Sequence, residues 1–74
     1  MPKLRPLSAT EVCKILAAHG FVRIRQAGSH IIMRRELPDG DSCTVPVPAH
    51  REIARGTLKS IMHLSALDES LFRK

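Results

Sequence analysis

Tryptophan and tyrosine are absent and phenylalanine occurs only twice in 74 residues, so the chain has almost no material for an aromatic platform on which several bases stack. RNA-recognition motifs and oligonucleotide-binding barrels work through such platforms and describe it poorly. Cysteine is equally scarce. Cys13 and Cys43 stand far apart and do not combine with His19, His30, His50 or His63 at any spacing known for zinc ligands. They read as small core residues of a reduced, intracellular protein, and neither a metal nor another cofactor is expected. No run approaches the roughly 18 apolar residues needed to cross a bilayer. Met1 to Pro6 has no apolar segment of the kind that directs export, so the expected location is the cytoplasm, without a membrane partner.

Acidic residues are also in the minority. Twelve Lys and Arg face seven Asp and Glu, for a formal charge of +5. The natural partner of such a surface is a polyanion. A chain of this length has room for a single domain, 1–74, whose core is too small for an elaborate cofactor pocket.

The residues that are present are strongly periodic. Ser8 with Glu11 forms a capping-box pattern, Leu7 can staple onto Val12, and Val12, Ile15, Leu16 and His19 recur at three and four. This predicts a helix that stops at Gly20, with Phe21 returning to Leu16 in a Schellman arrangement. Val22 and Ile24 alternate with Arg23 and Arg25, which predicts a strand from Phe21 with one dry and one wet face. A turn at Ala27-Gly28 leads to a second strand, Ser29 to Glu36, on which His30, Ile32 and Arg34 face away from Ile31 and Met33. Asp39-Gly40 is a hairpin signal before a third strand, Ser42 to Val47, and Pro46 and Pro48, which lack N–H donors, predict that this strand lies at an edge or stops there. Leu58, Ile61, Met62 and Leu64 mark a second helix, Gly56 to Leu64, and a final turn is expected to fold Leu71 and Phe72 back onto the core. The result is a two-layer α+β fold, α-β-β-β-α, with a three-stranded antiparallel sheet and both helices on one of its faces.

Gly28-Ser29-His30 is the most informative tripeptide, because it sets an imidazole at the mouth of a tight turn among Arg23, Arg25, Arg34 and Arg35. A side chain that exchanges a proton near neutral pH, held among cations, suits chemistry on a phosphate ester.

Gly20-Phe21, Arg25-Gln26-Ala27-Gly28-Ser29-His30, Val47-Pro48-Ala49-His50 and Gly56-Thr57-Leu58-Lys59-Ser60-Ile61 resemble, in order and spacing, the HicA toxins of bacterial HicAB toxin–antitoxin pairs. The resemblance covers nearly the whole chain. It implies a fold like that of double-stranded RNA-binding domains, and a small ribonuclease (an mRNA interferase) that cleaves messenger RNA without the ribosome and is silenced by a HicB-like antitoxin. It also implies that His30 is the essential histidine and that the free toxin is a monomer. The chain departs from the family in an extra Val-Pro before His50 and in its closing segment Leu67 to Phe72.

RNA carries its own nucleophile, so such an enzyme needs a base for the 2′-hydroxyl proton and cations for the charge gathering at phosphorus. His30 is the candidate base. Arg25, Arg55 and Lys59 are the candidate cations, the last two near the start of the second helix, where backbone N–H groups also favour phosphate. Ser29 can bond either the phosphate or its own turn. The proton donor stays open between His50, water and another group. A non-catalytic module that binds double-stranded RNA is the competing function. A DNA-reading helix over Gly56 to Leu64 fits less well, because it holds no Asn, Gln or Arg for base edges.

Overall fold

The computed structural model describes residues 7–72. Helix α1 spans Ala9–Ala18, strands β1, β2 and β3 span Val22–Ala27, His30–Glu36 and Ser42–Pro48, helix α2 spans Arg55–Ser65, and a 3₁₀ turn, Glu69–Phe72, follows. The sheet is antiparallel in the order β1-β2-β3, as the sequence predicts. Among the described residues no helix is long and apolar enough to cross a membrane.

Both ends of α1 form from local chemistry. Ser8 Oγ accepts from the Glu11 N–H at 3.1 Å while Glu11 Oε1 accepts from the Ser8 N–H at 3.0 Å. That reciprocal pair satisfies two amides the helix leaves without partners. At the other end Gly20 takes φ +93°, its N–H donates to the Ala17 carbonyl, and the Phe21 N–H donates to the Leu16 carbonyl at 3.0 Å. These are the two bonds of a Schellman motif, and Phe21 and Leu16 are both buried. Phe21 is thereby committed to the cap, and β1 begins one residue later than expected. His19 is the exposed capping residue rather than part of the buried stripe. Arg35 completes this end, with its guanidinium 5.3 Å from the Phe21 ring centroid and Nη1 donating to the His19 carbonyl.

The helices pack on one face of the sheet, where Met33, Val45 and Val47 meet Leu7, Val12, Leu16, Phe21, Ile53, Leu58, Ile61 and Phe72. On α2 the buried stripe is Leu58, Ile61, Met62 and Ser65, an i, i+3, i+4, i+7 series. Leu64 falls outside it and is 47% exposed, contrary to the expectation that it helps mark the apolar face. Ser65 can be buried because its hydroxyl donates to the Met62 carbonyl and accepts from the Leu67 N–H.

Strand β1 departs most from expectation. All six of its residues are exposed, Val22 at 64% and Ile24 at 49%, so the strand has no dry face. The pairing register shifts between Arg23 and Arg25, which leaves Ile24 as the extra residue of a β-bulge. Arg23 pairs with Met33 and Arg25 with Ile32, so the two arginines lie on opposite faces instead of one.

Strand β3 is the other edge, as its prolines require. The Ala49 N–H donates to the Ser29 carbonyl at 2.6 Å and extends the β2–β3 ladder, so the odd-numbered residues of β3 carry its bonds to β2. Pro46 and Pro48 therefore turn their nitrogens to the outer edge and remove two donors there.

Candidate active site

His30 is the first residue of β2, reached from Ala27 through the two-residue turn Gly28-Ser29. Gly28 has φ +59° and Ser29 does not share a positive φ, the pattern of a type II′ turn with glycine at its first central position. Arg23 Nη2 donates to Gln26 Oε1 at 2.9 Å, and Gln26 Nε2 donates to the Gly28 carbonyl at 3.2 Å. The Ala49 N–H holds the turn from the β3 side through the Ser29 carbonyl. The turn is braced on both flanks, while the His30 side chain is exposed.

The pairing register turns the bare face of the sheet into a grid. Ala27, His30 and Pro48 form one row, Arg25, Ile32 and Pro46 the next, and Val22, Arg34 and Thr44 a third. Arg25 is the diagonal neighbour of His30, about 7–8 Å away along the usual cross-strand geometry. It makes no ion pair among the described residues.

The arginine cluster expected around His30 is dispersed by the bulge and by local partners. Arg23 braces the turn from the helix side, and Arg35 caps α1. Arg34 shares the bare face but pairs with Glu36 at 3.0 Å. Arg25 is left as the cation of the neighbourhood, carried there by the β1 bulge.

Arg55 and Lys59 stand on α2, apart from the sheet residues His30 and Arg25. The Cys43 thiol donates to the Leu64 carbonyl at 2.9 Å, which ties the end of α2 to the start of β3. α2 packs against β3, and six residues, 49–54, separate the end of that strand from the start of the helix. Its N-cap, Ala54, provides no side-chain bond, and its first turn holds no acid. Arg55 and Lys59 are exposed and four apart on α2, in the helix layer, on the side of the sheet away from the face that bears His30.

His50 is now located as well. Its carbonyl accepts from the Ala9 N–H at 2.9 Å, and it lines an open cleft of about 400 Å³ with Ser8, Thr10, Ile31 and Arg51. This cleft is on the helix side, so the two imidazoles occupy opposite sides of the sheet end. The extra Val-Pro is absorbed by β3, which runs to Pro48 rather than Val47.

Sequence reasoning left out Gln26, the brace of the turn, and Pro48, the cross-strand partner of His30. Counting outward from the Asp39-Gly40 hairpin finds the second: Glu36 opposite Ser42 carries through the ladder to His30 opposite Pro48.

The thiols Cys13 and Cys43 are free and half-buried against the core. Burial raises the Cys13 pKa above the ordinary thiol value, an effect the nearby Arg23 guanidinium opposes. Less thiolate is then present at neutral pH, so Cys13 is expected to be alkylated by iodoacetamide more slowly in the folded chain than in urea. Peptide mass mapping at timed intervals measures the ratio, and equal rates would show that burial does not govern this thiol.

Among the described residues no three of His, Cys, Asp and Glu converge as a metal site. The fold and its exposed groups define a class: small basic α+β proteins with both helices on one side of a three-stranded sheet and a bare opposite face that presents an imidazole and a guanidinium. The family model described as HicA toxin of bacterial toxin-antitoxin matches residues 9–67, and the chain belongs to that family. Membership makes it a toxin of the toxin–antitoxin kind. No curated protein matches the chain.

Proposed function

We propose that this toxin is an endoribonuclease that cuts messenger RNA without a metal ion, with His30 as general base. The observation that carries the reading is the exposed imidazole of His30 on a bare sheet face, diagonal to the Arg25 guanidinium, above a turn braced on both flanks. As the 2′-oxygen attacks phosphorus its proton passes to the His30 imidazole. The bond from phosphorus to O5′ then breaks, and O5′ takes a proton from water. The products are a 2′,3′-cyclic phosphate and a 5′-hydroxyl. Water is the proton donor in this scheme because His50 lines the helix-side cleft.

Arg25 stabilises the negative charge that develops on the phosphorus oxygens. Arg55 and Lys59, with the uncapped N–H groups of α2, hold phosphates farther along the chain as the RNA rounds the sheet end. The carbonyl of Ser29 is taken by Ala49, and its hydroxyl is the group available for a phosphate oxygen. A HicB-like antitoxin with an acidic surface would cover the His30 face and silence it, in keeping with the +5 charge and with the family.

The test is to incubate 5′-labelled messenger RNA fragments with the purified chain, with and without a strong chelator. Fragments ending in a cyclic phosphate under both conditions are expected. Fragments with 3′-hydroxyl ends, or cutting that stops with chelator, would overturn the mechanism. Retention of RNA without cutting would favour a binding module.

A further inference from the structure

The bare face holds apolar residues that the catalytic reading does not use. His30 with Pro48 and Ile32 with Pro46 are cross-strand pairs at even-numbered positions of β3, and the ladder bonds run through the odd ones. They are therefore the non-hydrogen-bonded pairs, in which Cα atoms approach to about 4.5 Å and side chains stand closest. One proline ring adjoins the imidazole and the other adjoins Ile32, about 6.6 Å along the strand from His30 at two residues of ~3.3 Å rise. Ile32 is half-buried although neither of the described helices covers this face, flanked as it is by Pro46 and Arg25.

We propose that Ile32, Pro46 and Pro48 form a shelf for one unpaired nucleobase, that of the nucleotide whose 2′-hydroxyl meets His30. This rests on the ribonuclease reading and adds to it the substrate class: the cut lies in a single-stranded stretch. The occupant follows from what surrounds the shelf. A base laid on the apolar surface has its ribose beside His30 and its phosphate toward Arg25, within the footprint of one nucleotide. Every base has a π-face, so a flat apolar surface holds any of them without aromatic side chains and without strong sequence preference. In an A-form duplex the base is stacked and paired and cannot lie flat on a sheet, so double-stranded RNA binds here through its backbone alone.

The experiment is a cycle between protein and RNA. The substrates are short oligonucleotides with a single cleavable ribonucleotide, carrying either its base or an abasic ribose. The proteins are the natural chain and Ile32→Thr, which keeps a β-branched residue on the strand while making the shelf polar. The abasic substrate is expected to raise KM about fivefold for the natural chain, with kcat within about twofold. Ile32→Thr is expected to raise KM about threefold on the intact substrate. Combined, the two changes should cost no more than the larger alone, because both remove one contact. Pro46→Ser should repeat the pattern, and a fully paired duplex should be cut at least about tenfold less than the single strand.

Losses that multiply, an abasic substrate cut as well as the intact one, or a duplex cut equally well would overturn the shelf with cleavage itself intact. If the natural chain cuts no RNA, the ribonuclease reading fails separately. Dissociation constants for the same four combinations then decide the shelf, with the same non-additivity expected.

Discussion

Replacing His30 by alanine is expected to lower the RNA cleavage rate by at least about 100-fold, the lower range for loss of a positioned proton acceptor. RNA affinity and the thermal midpoint should both stay close to those of the natural chain. The ring is exposed, and the turn beneath it is held by Gln26 and Ala49 rather than by the imidazole. His30→Ala therefore separates chemistry from folding. Induced expression gives the same comparison in cells: the natural chain should arrest growth and degrade messenger RNA, and the variant should do neither. Cleavage that remains within tenfold in the variant would move the base elsewhere, with His50 the nearest imidazole along the sheet end.

The second large effect concerns Phe72, which is fully buried at the end of the 3₁₀ turn and packs into the core beside α1. Phe72→Ala is expected to destabilise the fold by about 3–5 kcal/mol, the usual cost of deleting a fully buried aromatic ring. Net stabilities run at about 5–15 kcal/mol, and a short chain sits at the low end because it buries a smaller fraction of its surface. The variant should thus be largely unfolded at 37 °C. Urea denaturation followed by circular dichroism measures this, and an unchanged midpoint would remove Phe72 from the core. Leu71→Ala is the contrast, with a small effect expected because Leu71 is 36% exposed.

The residues 71 and 72 show how far the sequence is legible. Two adjacent apolar residues at the end of the fold predict that both turn inward. A 3₁₀ turn has three residues per turn, so neighbours point about 120° apart and one must face solvent. The features that were legible are local: the capping box, the Schellman glycine, the Asp39-Gly40 hairpin and the edge position of a strand with two prolines all depend on a few adjacent residues. Leu64 was misread because three apolar neighbours drew it into a stripe whose fourth member is a serine, acceptable in the core only through bonds to Met62 and Leu67.

Strand β1 was misread for a non-local reason. Period-two alternation places Val22 and Ile24 on a dry face only if something packs against that face, whereas Val22 lies opposite Arg34 on the bare face and the sheet's core residues come from β2 and β3. The bulge at Ile24 is likewise a property of the pairing and not of β1 alone. It decides the candidate site, since without the extra residue Arg25 would share the helix side with Arg23. His30 was legible because glycine before it fixes the turn and the alternation of β2 sends it outward. The proline beside it became visible only through the ladder.

The two margins of the sheet are made unattractive in different ways. Along β3 the outward nitrogens of Pro46 and Pro48 carry no hydrogen, and along β1 the line is broken at Ile24 and studded with guanidinium groups. Among the described residues neither margin therefore offers a second copy of this toxin an unbroken row of donors, and sheet-to-sheet growth between crowded molecules is disfavoured at both edges.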